Sequence, residues 1–112
     1  MSDLVDMKNA LSELGLDKAD FIEFTQDLKV YLDETLPHLE QIVMSMDFKG
    51  IKEQSHAIKG AVANLRFIKA AEVAFFLETA GRNQSSDQVA EKFNELKDVL
   101  NASFLEIKQK HS

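Results

Sequence analysis

The sequence EQSHAIKGAVANL, residues 53–65, contains the features that decide both the fold and a reactive surface. Its apolar residues recur at the three- and four-residue spacing of an amphipathic helix. One face of that helix is predicted to carry Ile51, Ser55, Ile58, Val62 and Leu65. Gly60 stands inside the same helix. A glycine there costs about 1 kcal/mol relative to alanine, so its position requires a reason.

The composition predicts one all-α domain. The chain has 112 residues, of which 45% are hydrophobic and 29% are charged. This length supports a single core, and we expect one domain over residues 1–112. One proline and four glycines are too few for a loop-rich or all-β protein.

Charge and cysteine usage exclude several classes of function. The net charge is −6 and no block of Lys or Arg stands out, so nucleic acid is not an expected partner. The absence of cysteine excludes disulfides and cysteine metal sites, and it is compatible with a cytoplasmic location. The amino terminus MSDLVDMK does not resemble a signal peptide, and no run approaches 18 apolar residues. We therefore expect neither a leader nor a membrane span.

The hydrophobic period predicts five helices. Ser2 or Asp3 is the expected cap of a short first helix that ends at Gly15, and Asp17 is the expected cap of the second. The second helix keeps its apolar phase across Pro37, which favours one long bent helix over two. Its predicted apolar positions are Phe21, Phe24, Leu28, Leu32, Leu36, Leu39, Val43 and Met46.

The carboxy-terminal half continues this pattern. A break at MDFKG, residues 46–50, precedes the third helix, and a turn near Arg66 precedes a fourth helix that we expect to be buried on two sides. In that fourth helix Phe75 and Phe76 are predicted core residues. Ser85 or Ser86 is the expected cap of the last helix. Short connections make neighbouring helices antiparallel, so the prediction is an antiparallel up-down four-helix bundle with a short extra N-terminal helix.

A second face of the third helix is predicted to face solvent. His56, Lys59, Gly60 and Ala63 share it at i, i+3, i+4 and i+7. Helical side chains lean toward the amino terminus, so Lys59 can reach back to an anion held on His56. Gly60 leaves bare backbone where a larger side chain would obstruct a partner. This arrangement suits a phosphoryl group on a neutral imidazole nucleophile.

The stretch SHAIKGAVANL resembles the histidine-containing phosphotransfer (HPt) domains of bacterial phosphorelays, whose pattern is His-x-x-Lys-Gly in an alanine-rich helix. The later stretch AFFLETAGR is similar to the next helix of that family, including the pair Leu77–Glu78. One position departs from the pattern. Arg66 stands where the family usually has a second glycine, ten residues after the histidine, and this questions the tight end of the third helix.

The resemblance implies a phosphorelay intermediate. His56 would accept a phosphoryl group through Nε2 from the aspartyl-phosphate of a response-regulator receiver domain and pass it to another, with Mg²⁺ held by the receiver and no cofactor on this chain. Lys59 would stabilise the phosphoryl charge and Gly60 would provide clearance. Predicted partner contacts are Lys52, Ser55 and Ala63, with Lys29, Asp33 or Pro37 from the second helix. A hybrid histidine kinase is a further candidate partner, and we expect a monomer with a modest interface.

Two other classes remain open from the sequence. A non-catalytic adaptor would bind receivers without using the histidine, but the intact set of His56, Lys59 and Gly60 argues against it. The dimerising helix pair of a histidine kinase carries an acidic residue directly after its histidine, whereas Ala57 stands here. The sequence has no glycine-rich phosphate loop, so autophosphorylation from ATP is not expected. Isolated His38 and His111 are predicted to be solvated, and no metal site is expected.

Overall fold

A computed structural model describes residues 3–111, which form five α-helices. In chain order these are α1 (Met7–Leu14), α2 (Lys18–Met44), α3 (Phe48–Asn64), α4 (Ile68–Arg82) and α5 (Val89–His111). The four long helices pack in the order α2, α3, α4, α5, with α5 closing against α2, and α1 packs on α2. The predicted four-helix bundle with an extra N-terminal helix is confirmed.

The first helix begins later than predicted. Asp6 is its cap and accepts from the backbone N–H of Asn9, so the prediction of Asp3 is wrong, while Ser2 lies outside the described residues. Residues 4–6 instead run along the α3–α4 connection, where the backbone N–H of Ile68 donates to Leu4 at 2.9 Å. The carboxylate of Glu106 accepts from the backbone N–H groups of Leu4 and Val5, which ties this segment to α5.

Two of the other predicted helix boundaries are confirmed and one is wrong. Asp17 caps α2 as predicted, and the left-handed backbone of Gly15 (φ 67°) ends α1. The second helix continues through Pro37 as a single element. The last helix begins at Val89, so neither Ser85 nor Ser86 stands directly before it, and that prediction is wrong.

The core consists of the predicted apolar stripes, with exceptions at the aromatic residues. Phe21 and Phe67 are fully buried, and α4 buries side chains against both α3 and α5. Phe24, Phe75 and Phe76 are exposed instead, so their assignment to the core was wrong. Spacing placed these rings near the buried stripe, but each keeps between 38% and 50% of its surface exposed.

Arg66 preserves the tight end of α3. Its backbone lies in the left-handed region (φ 63°), which is the conformation that favours glycine. The backbone N–H of Phe67 donates to Val62 and that of Arg66 donates to Ala63, as in a helix closed by a Schellman-type turn. The Arg66 guanidinium also donates to the backbone carbonyl oxygens of Ala63 and Asn64 and to Glu13 of α1. These hydrogen bonds stabilise Arg66 in a backbone conformation that is strained for a residue with a side chain. The third helix therefore ends tightly without the glycine that the family usually has at this position.

Candidate functional site: the His56 surface of α3

His56 lies on an open surface of α3. Its side chain is 69% exposed, and Gly60 and Ala63 are exposed on the same face. A Cβ atom added to Gly60 would meet no heavy atom within 4 Å. Packing inside the chain therefore does not require a glycine at this position. Gly60 destabilises the helix by about 1 kcal/mol relative to alanine. Only a molecule outside the chain could occupy the space that its missing side chain leaves free.

The neighbouring helix supplies a buried carboxylate to this surface. Glu78 of α4 has a side chain that is only 5% exposed, and its Oε2 lies 3.1 Å from His56 Nδ1. Its Oε1 lies 2.7 Å from the Lys59 ammonium, and Arg82 donates to Oε2 at 2.9 Å. A buried charge is tolerated when it is paired in this way. Glu78 thus joins His56, Lys59 and Arg82 into one cluster, which we call the Glu78 cluster.

Gly81 allows α4 to approach α3 closely. A Cβ atom at this position would lie 2.6 Å from the backbone nitrogen of Lys52 and 2.7 Å from the carbonyl oxygen of Phe48. Both are backbone atoms, which cannot turn aside as a side chain can. Glu78 lies almost one helical turn before Gly81, so the close contact brings its carboxylate within reach of His56. The site depends on this helix crossing as well as on its own side chains.

Electrostatics keep Glu78 ionised. The Lys59 ammonium lowers the pKa of the Glu78 carboxyl below its ordinary value, with a smaller effect from His56, against the opposing effect of burial. The Glu78 cluster contains two cationic side chains, Lys59 and Arg82, and one carboxylate. A net positive charge therefore remains beside His56 in a chain whose net charge is −6. Such a local excess favours an incoming phosphoryl group.

The contact with Glu78 indicates which nitrogen of His56 carries the ring proton. An ionised carboxylate only accepts hydrogen bonds, so Nδ1 must carry the proton in the 3.1 Å contact. In the neutral form of the ring, the lone pair then lies on Nε2. This is the arrangement of a positioned imidazole nucleophile, in which a partner group fixes the tautomer.

The predicted site residues do not all reach this surface. Lys52 and Ala63 are exposed, as a partner contact requires, whereas Ser55 is fully buried. Burial of Ser55 does not agree with its predicted contact to a partner, and it follows from the apolar face that Ser55 shares with Ile51 and Ile58. Glu78 and Arg82 were missed as site residues.

The second-helix contacts also need correction. Lys29 pairs with Asp33 and places its ammonium over Phe104 of α5, and Pro37 borders a small recess with Phe93 of α5. Lys29 and Pro37 therefore lie beside α5 rather than α3. The side of α2 next to α3 instead lines an apolar groove of about 260 Å³. Its walls are Phe24, Asp27, Leu28, Tyr31, Ala61, Asn64 and Leu65.

His38 is exposed as predicted, and nothing is described of the His111 side chain. Residues 3–111 contain no group of three or more His, Asp or Glu side chains placed to hold a metal ion. None of the helices described is both long and apolar enough to cross a membrane.

Comparison with known proteins matches the part of the chain that contains the His56 surface to one protein family. A family model described as the Hpt domain matches residues 23–104, which include α3, α4 and most of α2 and α5. No curated protein and no solved structure matched the chain. The matched segment contains His56, Lys59, Gly60 and Glu78 and covers well over half of the sequence. The chain therefore belongs to the Hpt-domain family, whose members carry out phosphotransfer in phosphorelays and interact with receiver domains.

Proposed function

We propose that His56 accepts a phosphoryl group from the aspartyl-phosphate of a receiver domain and passes it to a second receiver. Nε2 attacks phosphorus, the Nε2–P bond forms, and the bond from phosphorus to the aspartyl oxygen breaks. The aspartate leaves as a carboxylate with the electron pair. The reverse sequence of bonds delivers the group to the next receiver.

The observation that carries this proposal is the contact between His56 Nδ1 and buried Glu78 at 3.1 Å. When Nε2 bonds to phosphorus, the ring keeps its Nδ1 proton and becomes positively charged. The Glu78 carboxylate stabilises that charge and is already in place before the reaction. Lys59 lies beside the same carboxylate and can turn toward the phosphoryl oxygens.

The groove between α2 and α3 is the proposed seat of the receiver. It is lined by Ala61, which follows Gly60 directly, and it continues past Asn64 and Leu65 toward α1, where Leu14 and Leu16 line a further recess. Exposed Phe24 contributes to both parts and offers an apolar contact. The receiver would thus cover the α2 side of His56 and leave the Glu78 cluster on the α4 side.

The remaining features of the proposal follow from the family. We place the Mg²⁺ of the reaction on the receiver, with no cofactor on this chain, and we expect no ATP-dependent autophosphorylation. A hybrid histidine kinase is a candidate source of phosphoryl groups. We expect a monomer that acts in the cytoplasm.

Transfer from purified receivers tests the proposal. Receivers phosphorylated with radiolabelled phosphate are mixed with the wild type, with His56→Gln and with His38→Gln, which removes another exposed histidine. We expect acid-labile, base-stable label on the wild type and His38→Gln, and none on His56→Gln. Binding of a receiver without transfer, with equal affinity for the wild type and His56→Gln, would contradict the proposal and favour an adaptor.

A further inference from the structure

Lys59 has a second partner that the phosphotransfer motif does not explain. Its ammonium lies 5.0 Å from the centroid of the Phe75 ring, in addition to 2.7 Å from Glu78 Oε1. Phe75 and Glu78 stand three residues apart on α4, so both face α3. The Lys59 ammonium is thus held between a buried carboxylate and an aromatic ring.

Burial does not explain a phenylalanine at this position. The Phe75 residue is 50% exposed, so much of its apolar surface faces water. A ring face attracts a cation within about 6 Å of its centroid. The exposed ring is therefore placed where it can act on Lys59 more than on the core.

A ring and a carboxylate hold an ammonium in different ways. Lys59 has three N–H donors, and the ring attracts the charge without a hydrogen-bond acceptor of its own. The ring is also neutral, so it does not repel a phosphoryl group as Glu78 does. When the phosphoryl oxygens draw Lys59 away from Glu78, Phe75 can still keep the ammonium close to His56.

We propose that Phe75 is a positioning residue that keeps Lys59 beside His56 during phosphoryl transfer. The proposal rests on the proposed function of His56 and adds a residue outside the His-x-x-Lys-Gly pattern. Phe75 acts through Lys59 and does not touch the reacting atoms. Loss of the ring should slow phosphorylation about two- to fivefold, the range expected for an exposed cation–π contact.

The next residue on α4 provides a matched control. Phe76 is 38% exposed, and the Lys92 ammonium lies 5.1 Å from its ring centroid and 3.0 Å from Glu95 Oε1. This second arrangement has the same three components, a ring, a lysine and a carboxylate, but it lies between α4 and α5 and has no histidine. Phe76→Leu removes an exposed ring and its lysine contact without touching the Glu78 cluster.

Phosphoramidate is the probe, because this small donor phosphorylates histidine without a receiver. Nε2–P forms, the P–N bond of the donor breaks and ammonia leaves. We expect Phe75→Leu to slow labelling of His56 two- to fivefold, Phe75→Tyr to restore it and Phe76→Leu to equal the wild type. In a Lys59→Ala background, Phe75→Leu should have no further effect. Thermal unfolding of each variant shows whether the fold is retained.

Three outcomes would overturn the proposal. Phe75→Leu could label as fast as the wild type, or it could slow labelling equally with and without Lys59. It could also slow transfer from a receiver but not from phosphoramidate, which would make Phe75 a partner contact. Equal labelling of the wild type and His56→Gln would instead refute the function of His56. In that case NMR of the Lys59 side chain still tests whether Phe75 positions Lys59, because Phe75→Leu should make the ammonium end of Lys59 more mobile.

Discussion

The two glycines on either side of the site have opposite surroundings. A Cβ on Gly60 would meet open space, whereas a Cβ on Gly81 would lie 2.6 Å from a backbone nitrogen of α3. The first glycine clears the outer surface of α3, and the second brings α4 against its inner side. The proposed phosphoacceptor surface thus has free space above His56 and close packing below it, where Glu78 makes contact.

On the side of His56 that contacts α4, the substitution expected to have the largest effect on transfer is Glu78→Gln. The amide keeps the shape of the side chain but removes the charge that, in the proposed function, stabilises the phosphorylated ring. A charge-assisted hydrogen bond contributes about 1.5–3 kcal/mol, so we expect transfer to slow roughly 10- to 100-fold. Single-turnover transfer from a saturating phosphorylated receiver measures this, and an unchanged rate would show that Glu78 has no part in the reaction.

Gly81→Ala tests whether close helix packing positions Glu78. The added methyl group meets backbone atoms of Phe48 and Lys52, so α4 must move outward. Such overpacking costs about 1–3 kcal/mol of unfolding free energy. Chemical denaturation measures the loss, and transfer should slow as well, because Glu78 moves with α4. Stability equal to the wild type would mean that the helices adjust without strain.

Lys59→Ala should have a smaller effect on rate. A lysine about 4 Å from a phosphoryl dianion in a water-like medium contributes on the order of 1–2 kcal/mol, or roughly tenfold in rate. His56→Gln, by contrast, should abolish transfer. Lys59→Arg is the control that retains charge. Loss as complete as in His56→Gln would assign Lys59 a larger role than charge stabilisation.

Gly60→Ala tests the role of the free space on the solvent-exposed surface of α3. The methyl group meets nothing in the chain, and alanine has the better helix propensity, so unfolding free energy should rise by about 1 kcal/mol. This gain is opposite in sign to the change at Gly81. A larger side chain, as in Gly60→Gln, should slow transfer from a receiver more than labelling by phosphoramidate. Equal slowing with both donors would argue against clearance for a partner.

The pH dependence of stability gives the smallest expected effect. The pKa of Glu78 is lowered in the folded chain from an ordinary value of 4.5, chiefly by Lys59. Its ionised form therefore stabilises the fold above the unfolded pKa, and this contribution is lost as pH falls through the folded pKa. Between about pH 5 and pH 3, the unfolding free energy of Glu78→Gln should fall less than that of the wild type. Parallel curves in denaturant titrations would contradict this.

Local pattern was sufficient to predict the helices and the exposed histidine. Periodicity placed Ile58 and Val62 inside and His56 outside, and Asp17 marked the start of α2. Exposure of Gly60 followed from the same period. These features depend on residues within one or two helical turns, which a sequence shows directly.

The missed features depend on how helices cross. Glu78 reaches His56 only because Gly81 admits the backbone of α3, and neither the spacing in α3 nor that in α4 reveals this contact. A signal was available, since Glu78 shares the side of its helix with Ala74, Leu77 and Gly81. An acidic residue on an apolar face requires a partner. Phe75 was assigned to the core because hydrophobicity alone does not show how much of a ring the neighbouring helix covers.

The most direct test is to identify the nitrogen that carries the phosphoryl group. Protein labelled with ¹⁵N at histidine is phosphorylated and examined by ¹⁵N and ³¹P NMR. We expect phosphorus bonded to Nε2 of His56, with a proton retained on Nδ1 next to Glu78. Phosphorus on Nδ1 of His56, or on any other residue, would contradict it.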